Sequence, residues 1–77
     1  YVCAIEQTEN STMLNDFSPP EKMIAIVFGH EINGVQQSVI DLCDESIEIP
    51  QIGTKHSLNI SVSVGIVMWD LYKKIIG

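Results

Sequence analysis

Hydrophobic positions along this chain fall into short clusters separated by polar stretches, followed by one long apolar segment at the end. Val2 to Glu6 reads as a short strand. Gln7 to Pro20 is polar and broken: Asn10-Ser11 can cap a brief helical turn around Met13-Leu14, and Pro19-Pro20 ends it. Met23 to Phe28 is a continuous apolar run, the pattern of a strand buried on both faces of a parallel sheet. Gly29 to Gly34 reads as a turn. Val35, Val39 and Leu42 then recur at helical spacing, predicting a helix that ends near Asp44. Ser46 to Ile49 is the next strand, and it must stop at Pro50, which fixes φ and cannot donate to a ladder.

The last segment carries two signals. Leu58, Ile60, Val62 and Val64 alternate with Asn59, Ser61 and Ser63, which is strand-like. Leu58 to Ile76, however, is interrupted only by Gly65 and closes on Lys73-Lys74 and Gly77, as a helix C-terminus does. On a helix, Leu58, Val62, Ile66 and Trp69 form one apolar stripe, and Val64, Val67, Leu71 and Ile75 form another. A helix over Leu58–Ile76, covered on two sides, is the prediction. Strand and helix alternate throughout, so the fold class is α/β with a mainly parallel sheet and flanking helices.

The stretch from Ile49 through Pro50, Gly53 and Ser57 to Asn59 combines a strand end, a polar loop and a helix start. Ser and Asn favour helix starts because their side chains satisfy free backbone N–H groups. Open α/β sheets bind ligands in such loops, at the carboxyl ends of their strands. The pattern therefore predicts a small-molecule site without naming the molecule.

Seventy-seven residues allow one small domain, and a fold of this size buries roughly two-thirds of its unfolded surface. The apolar share of 45% with 18% charged residues is globular rather than disordered. No signal-like segment and no apolar run long enough to span a bilayer is present, so a cytoplasmic protein without membrane association is expected. The chain opens on Tyr1-Val2-Cys3-Ala4-Ile5, already the interior of a strand, which predicts a fragment of a larger domain. The net charge is −6, with four Lys and no Arg. Phosphate contacts leave a basic footprint, so this segment alone is a poor nucleic-acid binder. Cys3 and Cys43 are too few for a disulfide framework and are expected as reduced thiols.

Two ordered motifs carry a more specific signal. Ile49-Pro50-Gln51-Ile52-Gly53-Thr54-Lys55-His56-Ser57-Leu58-Asn59-Ile60-Ser61-Val62 resembles the final motif of the SpoU/TrmH family of RNA 2′-O-ribose methyltransferases, in the SPOUT class. Val27-Phe28-Gly29-His30-Glu31-Ile32-Asn33-Gly34 is similar to that family's preceding motif, an apolar strand followed by Gly-x-Glu-x-x-Gly. Ala4 to Thr8 is similar to the strand and turn before it. The resemblance covers essentially the whole chain.

The resemblance implies the C-terminal, cofactor-binding half of a trefoil-knot domain, over residues 1–77. It implies methylation of a ribose 2′-hydroxyl in tRNA or rRNA with S-adenosyl-L-methionine as methyl donor. By residue matching, cofactor contacts would come from Gly29, Ile49 and Leu58, largely through backbone groups. Glu31 would be a polar anchor for the cofactor loops or the catalytic Arg, while Ser57 and Asn59 would organise the active site. That Arg belongs to an upstream Asn-x-Gly-x-x-x-Arg motif, which this chain lacks, so these residues supply the cleft but not the catalytic group. A chain of this length can cover only one face of that helix, so Trp69, Leu71 and Ile75 are expected on an exposed patch, with Val64 and Leu71 facing a second copy. The resemblance also implies a homodimer formed through the last helix.

Blander readings stand beside each role. On these readings Gly29 is a plain turn glycine, Glu31 a solvated carboxylate, and Ser57 and Asn59 helix caps. No GxSxG elbow surrounds Ser57. His30, Glu31, Cys43 and His56 match no metal-ligand spacing, so no metal is expected. Gly29 and Gly34 fit neither a phosphate loop nor a dinucleotide fingerprint. Two rivals belong to other classes: a catalytically inactive dimerisation or regulatory module of the same fold, and an unrelated nucleotide-binding α/β domain.

Overall fold

The central strand of the sheet, β1 (Val2–Ile5), has Cys3 and Ala4 side by side and both fully buried, one facing each side of the sheet. This computed structural model describes residues 1–29, 33–51 and 59–77. Strands β2 (Thr12–Met13), β3 (Ala25–Phe28) and β4 (Glu45–Glu48) complete a four-stranded sheet in the order β2-β4-β1-β3. Every pairing is parallel, with Val2 opposite Ala25, Ile5 opposite both Phe28 and Ile47, and Thr12 opposite Ile47. The α/β class with a parallel sheet is as the alternation predicts.

Pleating puts Tyr1, Cys3 and Ile5, Ile24, Ile26 and Phe28, and Ile47 and Ile49 on one face. There the core forms from Cys3, Ile47, Val67, Leu71, Leu14 and Phe17, with the other members of that face packed around it. Helix α2 (Ile60–Ile76) supplies Val67 and Leu71 to this core. The 3₁₀ turn Leu14–Asp16 closes one side, and the Lys74 ammonium docks α2 onto it. Lys74 donates to the Leu14 carbonyl and pairs with Asp70 at 2.6 Å.

Helix α2 begins where Asn59 accepts the Ser61 amide on its side chain at 2.8 Å. It ends where the Gly77 amide reaches the Lys73 carbonyl at 2.9 Å. The expected helix start at Leu58 lies outside the described residues. No helix among the described residues is long and apolar enough to cross a membrane.

Four expectations are corrected. β3 is not buried on both faces: Ala25 is exposed and Ile26, Val27 and Phe28 are half-buried, Met23 at its approach is 89% exposed, and among the described strands β3 lies at the sheet edge. Its run is apolar because Ile24, Ile26 and Phe28 meet the core, while among the described residues no strand lies beyond it. The helix expected from Val35 to Asp44 is one turn, α1 (Gln37–Ile40), with no side-chain cap at Gln36. Leu42 and Cys43 then close back on Val39 and Ile40, and the Asp44 amide joins Val2, which diverts the chain into β4 and leaves Leu42 85% exposed. Ser11 does not cap the turn at Leu14; Met13 precedes that turn without a side-chain bond, and Thr12–Met13 pair with β4 instead. Finally, Leu71 does not belong to an outer stripe: it is 6% exposed, inside the chain's own core. The row facing the sheet is Ser63, Val67, Asp70, Leu71 and Lys74.

Candidate functional site

The parallel register brings three strand ends together. Ile5, Phe28 and Ile47 lie abreast, so the residues that follow them, Glu6, Gly29 and Glu48-Ile49, share one edge of the sheet. β1 sits between β3 and β4, so the chain crosses from one side of β1 to the other after β3. Such a switch point opens a crevice at the carboxyl ends of the strands.

Gly29 lies beneath the returning loop. A Cβ built there would stand 2.3 Å from the Gly34 carbonyl carbon and 2.4 Å from the Val35 nitrogen. Any side chain would therefore push the loop off the strand end. Gly34 has a φ of +67°, a conformation glycine adopts without steric cost. Its Cα faces the Glu6 carboxylate, and a Cβ there would come within 2.2 Å of Glu6 Oε2. That same oxygen accepts the Val35 amide at 2.7 Å, while Oε1 accepts the Gln7 amide at 3.2 Å. The missing Cβ of Gly29 thus makes room for the protein's own backbone, so a ligand at Gly29 would be met by backbone groups.

On the other side, the Ser11 hydroxyl lies 2.8 Å from Glu48 Oε1 and 2.9 Å from the Thr8 carbonyl, one proton serving two acceptors. This ties the segment after β1 to the end of β4, one residue before Ile49. Ile49 is half-buried against the core, and its neighbour Pro50 is exposed. Asn59 is the N-cap of α2, so its capping role is fulfilled. Glu31, Ser57 and Leu58 lie outside the described residues, as do His30 and His56. Gly29 and Ile49 are therefore brought to one edge, and Asn59 heads the helix beyond it.

Glu6, Ser11 and Glu48 carry the polar contacts of this edge and were not among the residues singled out from sequence. A carboxylate placed directly after a buried strand was the available signal for Glu6.

An open depression of about 1080 Å³ lies between the segment after β1, the loop around Gly34, α1 and the start of β4. Glu6, Glu9, Asp41, Asp44 and Glu45 line it, which makes it repellent to phosphate. The Tyr1 hydroxyl donates to Glu45 Oε1 at 2.6 Å, and this bond, with desolvation and the Glu45 charge, pushes its pKa up to about 12. Burial, reinforced by the Glu45 and Asp44 carboxylates, pushes the Cys3 thiol up to about 11. Cys3 is thus held as an inert thiol. Cys43, half-buried, donates its thiol to the Val39 carbonyl at 3.3 Å. Among the described residues no three His, Cys, Asp or Glu side chains are grouped to hold a metal ion.

Residues 1–69 match the SpoU rRNA Methylase family. A Staphylococcus haemolyticus protein with the provisional name TrmH family tRNA/rRNA methyltransferase is 36% identical over 74 residues, which is 96% of this chain and 29% of that protein. The mouse tRNA (guanosine(18)-2'-O)-methyltransferase TARBP1 is 36% identical over 69 residues, 90% of this chain and 4% of its own length. The crystal structure of an Aquifex aeolicus TrmH/SpoU tRNA modifying enzyme superposes with a TM-score of 0.80 at 27% identity. That superposition covers 95% of this chain and 36% of the Aquifex chain. This chain therefore spans under a third of the length of the Staphylococcus and mouse relatives, and it belongs to the SpoU rRNA methylase family.

Proposed function

We propose that this chain supplies the cofactor-binding part of an enzyme that methylates ribose 2′-hydroxyls in tRNA or rRNA, with S-adenosyl-L-methionine as donor. The observation that carries the reading is the strand-end crevice at the switch point, where Gly29 is roofed by Gly34 and Val35 and shares the sheet edge with Ile49 across the end of β1. Family membership and the names of the relatives point to the same chemistry. The backbone of Gly29, Gly34 and Val35 lies at this edge beside the Glu6 carboxylate, and a cofactor there would be held mainly by backbone hydrogen bonds. Gly29, Ile49 and Leu58 would hold it, and when bound it supplies an electrophilic methyl group.

The chain's own residues then have supporting tasks. Glu31 would anchor the cofactor loops or the catalytic Arg and Ser57 would organise the active site, while Asn59 fixes the first turn of α2. Transfer to a hydroxyl also requires a group that takes up its proton, held in line with the donor. The chain has no Arg and a charge of −6, so both that group and most of the affinity for RNA come from other parts of the protein or from a second subunit. In this reading the domain is the C-terminal half of a trefoil knot, and α2 joins two copies of the protein.

Calorimetry with S-adenosylhomocysteine on the full-length protein tests the proposal. Binding is expected, and Gly29→Val, which forces the loop off the strand end, should abolish it. Absence of binding by the wild-type protein, or unchanged binding by the variant, would falsify the reading. The second reading, an inactive dimerisation module, draws on the missing Arg and the acidity; it predicts a dimer that binds no S-adenosylhomocysteine.

A further inference from the structure

We propose that Glu6 is the positioning residue of this cleft, holding the roof of the loop after β3 in place from the tip of the central strand. The inference rests on the cofactor reading above and adds a residue to it.

Glu6 is tied to both neighbours of β1 at once. Its backbone amide donates to the Ile47 carbonyl of β4 at 3.0 Å, which fixes the residue against one strand. Its side chain crosses to the opposite side, where Oε2 accepts the Val35 amide at 2.7 Å. Oε2 also packs against the Cα of Gly34, the residue that lies over Gly29. Oε1 accepts the Gln7 amide at 3.2 Å, which orients the carboxylate. Only a residue on the central strand can reach both flanking segments. Such preorganisation matters because a loop ordered before binding does not have to be ordered by the ligand. Ser11, through Glu48, ties the segment that follows Glu6 to the end of β4.

Length and acceptor geometry make the idea separable from general stability. Glu6→Gln keeps an acceptor oxygen at the same reach. Glu6→Asp keeps the charge but is one methylene too short for the Val35 amide. Glu6→Ala keeps neither. In the full-length protein, Asp and Ala should each weaken S-adenosylhomocysteine binding at least tenfold and raise KM for the methyl donor in parallel. Gln should stay within threefold of wild type, and KM for RNA should not move in any of the three. Hydrogen exchange of the peptide spanning 29–35 should quicken in Asp and Ala and leave α2 unchanged.

If Glu6→Ala fails to fold, the contrast between Asp and Gln decides. Asp binding as tightly as wild type, or Gln binding as weakly as Ala, would overturn the role of Glu6. Wild-type protein that binds no analogue overturns the cofactor reading instead, and the exchange rates still report whether Glu6 holds the loop.

Discussion

A Cβ on Gly29 would press on the backbone of Gly34 and Val35, whereas one on Gly34 would meet the free end of the Glu6 side chain. The two glycines were legible in the sequence as a turn, but not this difference, because it depends on where the chain returns after six residues. The absence of a Cβ at Gly29 admits the protein's own returning backbone, a packing need that stands beside the cofactor contact proposed there. Cys3 shows a second residue-scale consequence. Its thiol titrates near 11 when folded against 9.0 for an ordinary thiol. The folded protein therefore keeps a proton that the unfolded chain releases. The contribution of Cys3 to stability is complete below pH 9 and is lost as pH rises from 9 towards 11. Thermal midpoints should fall across that window, and Cys3→Ala, though less stable at neutral pH, should show a shallower fall. An identical alkaline slope in both proteins would refute the assignment.

At the scale of elements, strands β1 and β4 and the last helix were legible because their signals are local: an apolar run ended by Glu6, a β-branched run ended by Pro50, and a capped segment closing on lysines. β2 was not, since two residues have no periodicity and Thr12–Met13 become a strand only by pairing with β4. α1 misled because Val35, Val39 and Leu42 share helical spacing, yet the hydrogen bond from Asp44 to Val2 ends the helix after one turn. Helix α2 owes its start to one side chain. Asn59→Ala removes the acceptor of the Ser61 amide and should cost about 1 kcal/mol. Chemical denaturation should show a lower midpoint at an unchanged slope; no shift would mean that the cap is replaced by a neighbour or by water.

At the scale of the whole chain, the described residues leave α2 half covered. Val67 and Leu71 fill the core, but Val62, Ile66, Met68, Trp69, Tyr72 and Ile75 remain exposed, with the Trp69 and Tyr72 rings stacked at 5.9 Å. Trp69 alone is 61% exposed. Large side chains left in water forgo about 1.5–3 kcal/mol each relative to burial, so this face favours association. A two-fold dimer is the commonest closed solution, because one patch then covers itself. We expect the full-length protein to be a homodimer through this face of α2, as the resemblance implies. The structure changes which substitution tests it. Val64, 37% exposed, borders the exposed face, whereas Leu71, on the stripe expected to face a second copy, is core. Val64→Asp should halve the mass seen by light scattering while leaving circular dichroism intact. Leu71→Asp should unfold the protein instead, because it buries an unpaired charge beside Cys3 and Ile47. If each active site is built at the interface, Val64→Asp loses methyl transfer together with the dimer. A Val64→Asp protein that stays dimeric would remove α2 from the interface, and a folded, fully active monomer would refute the shared site.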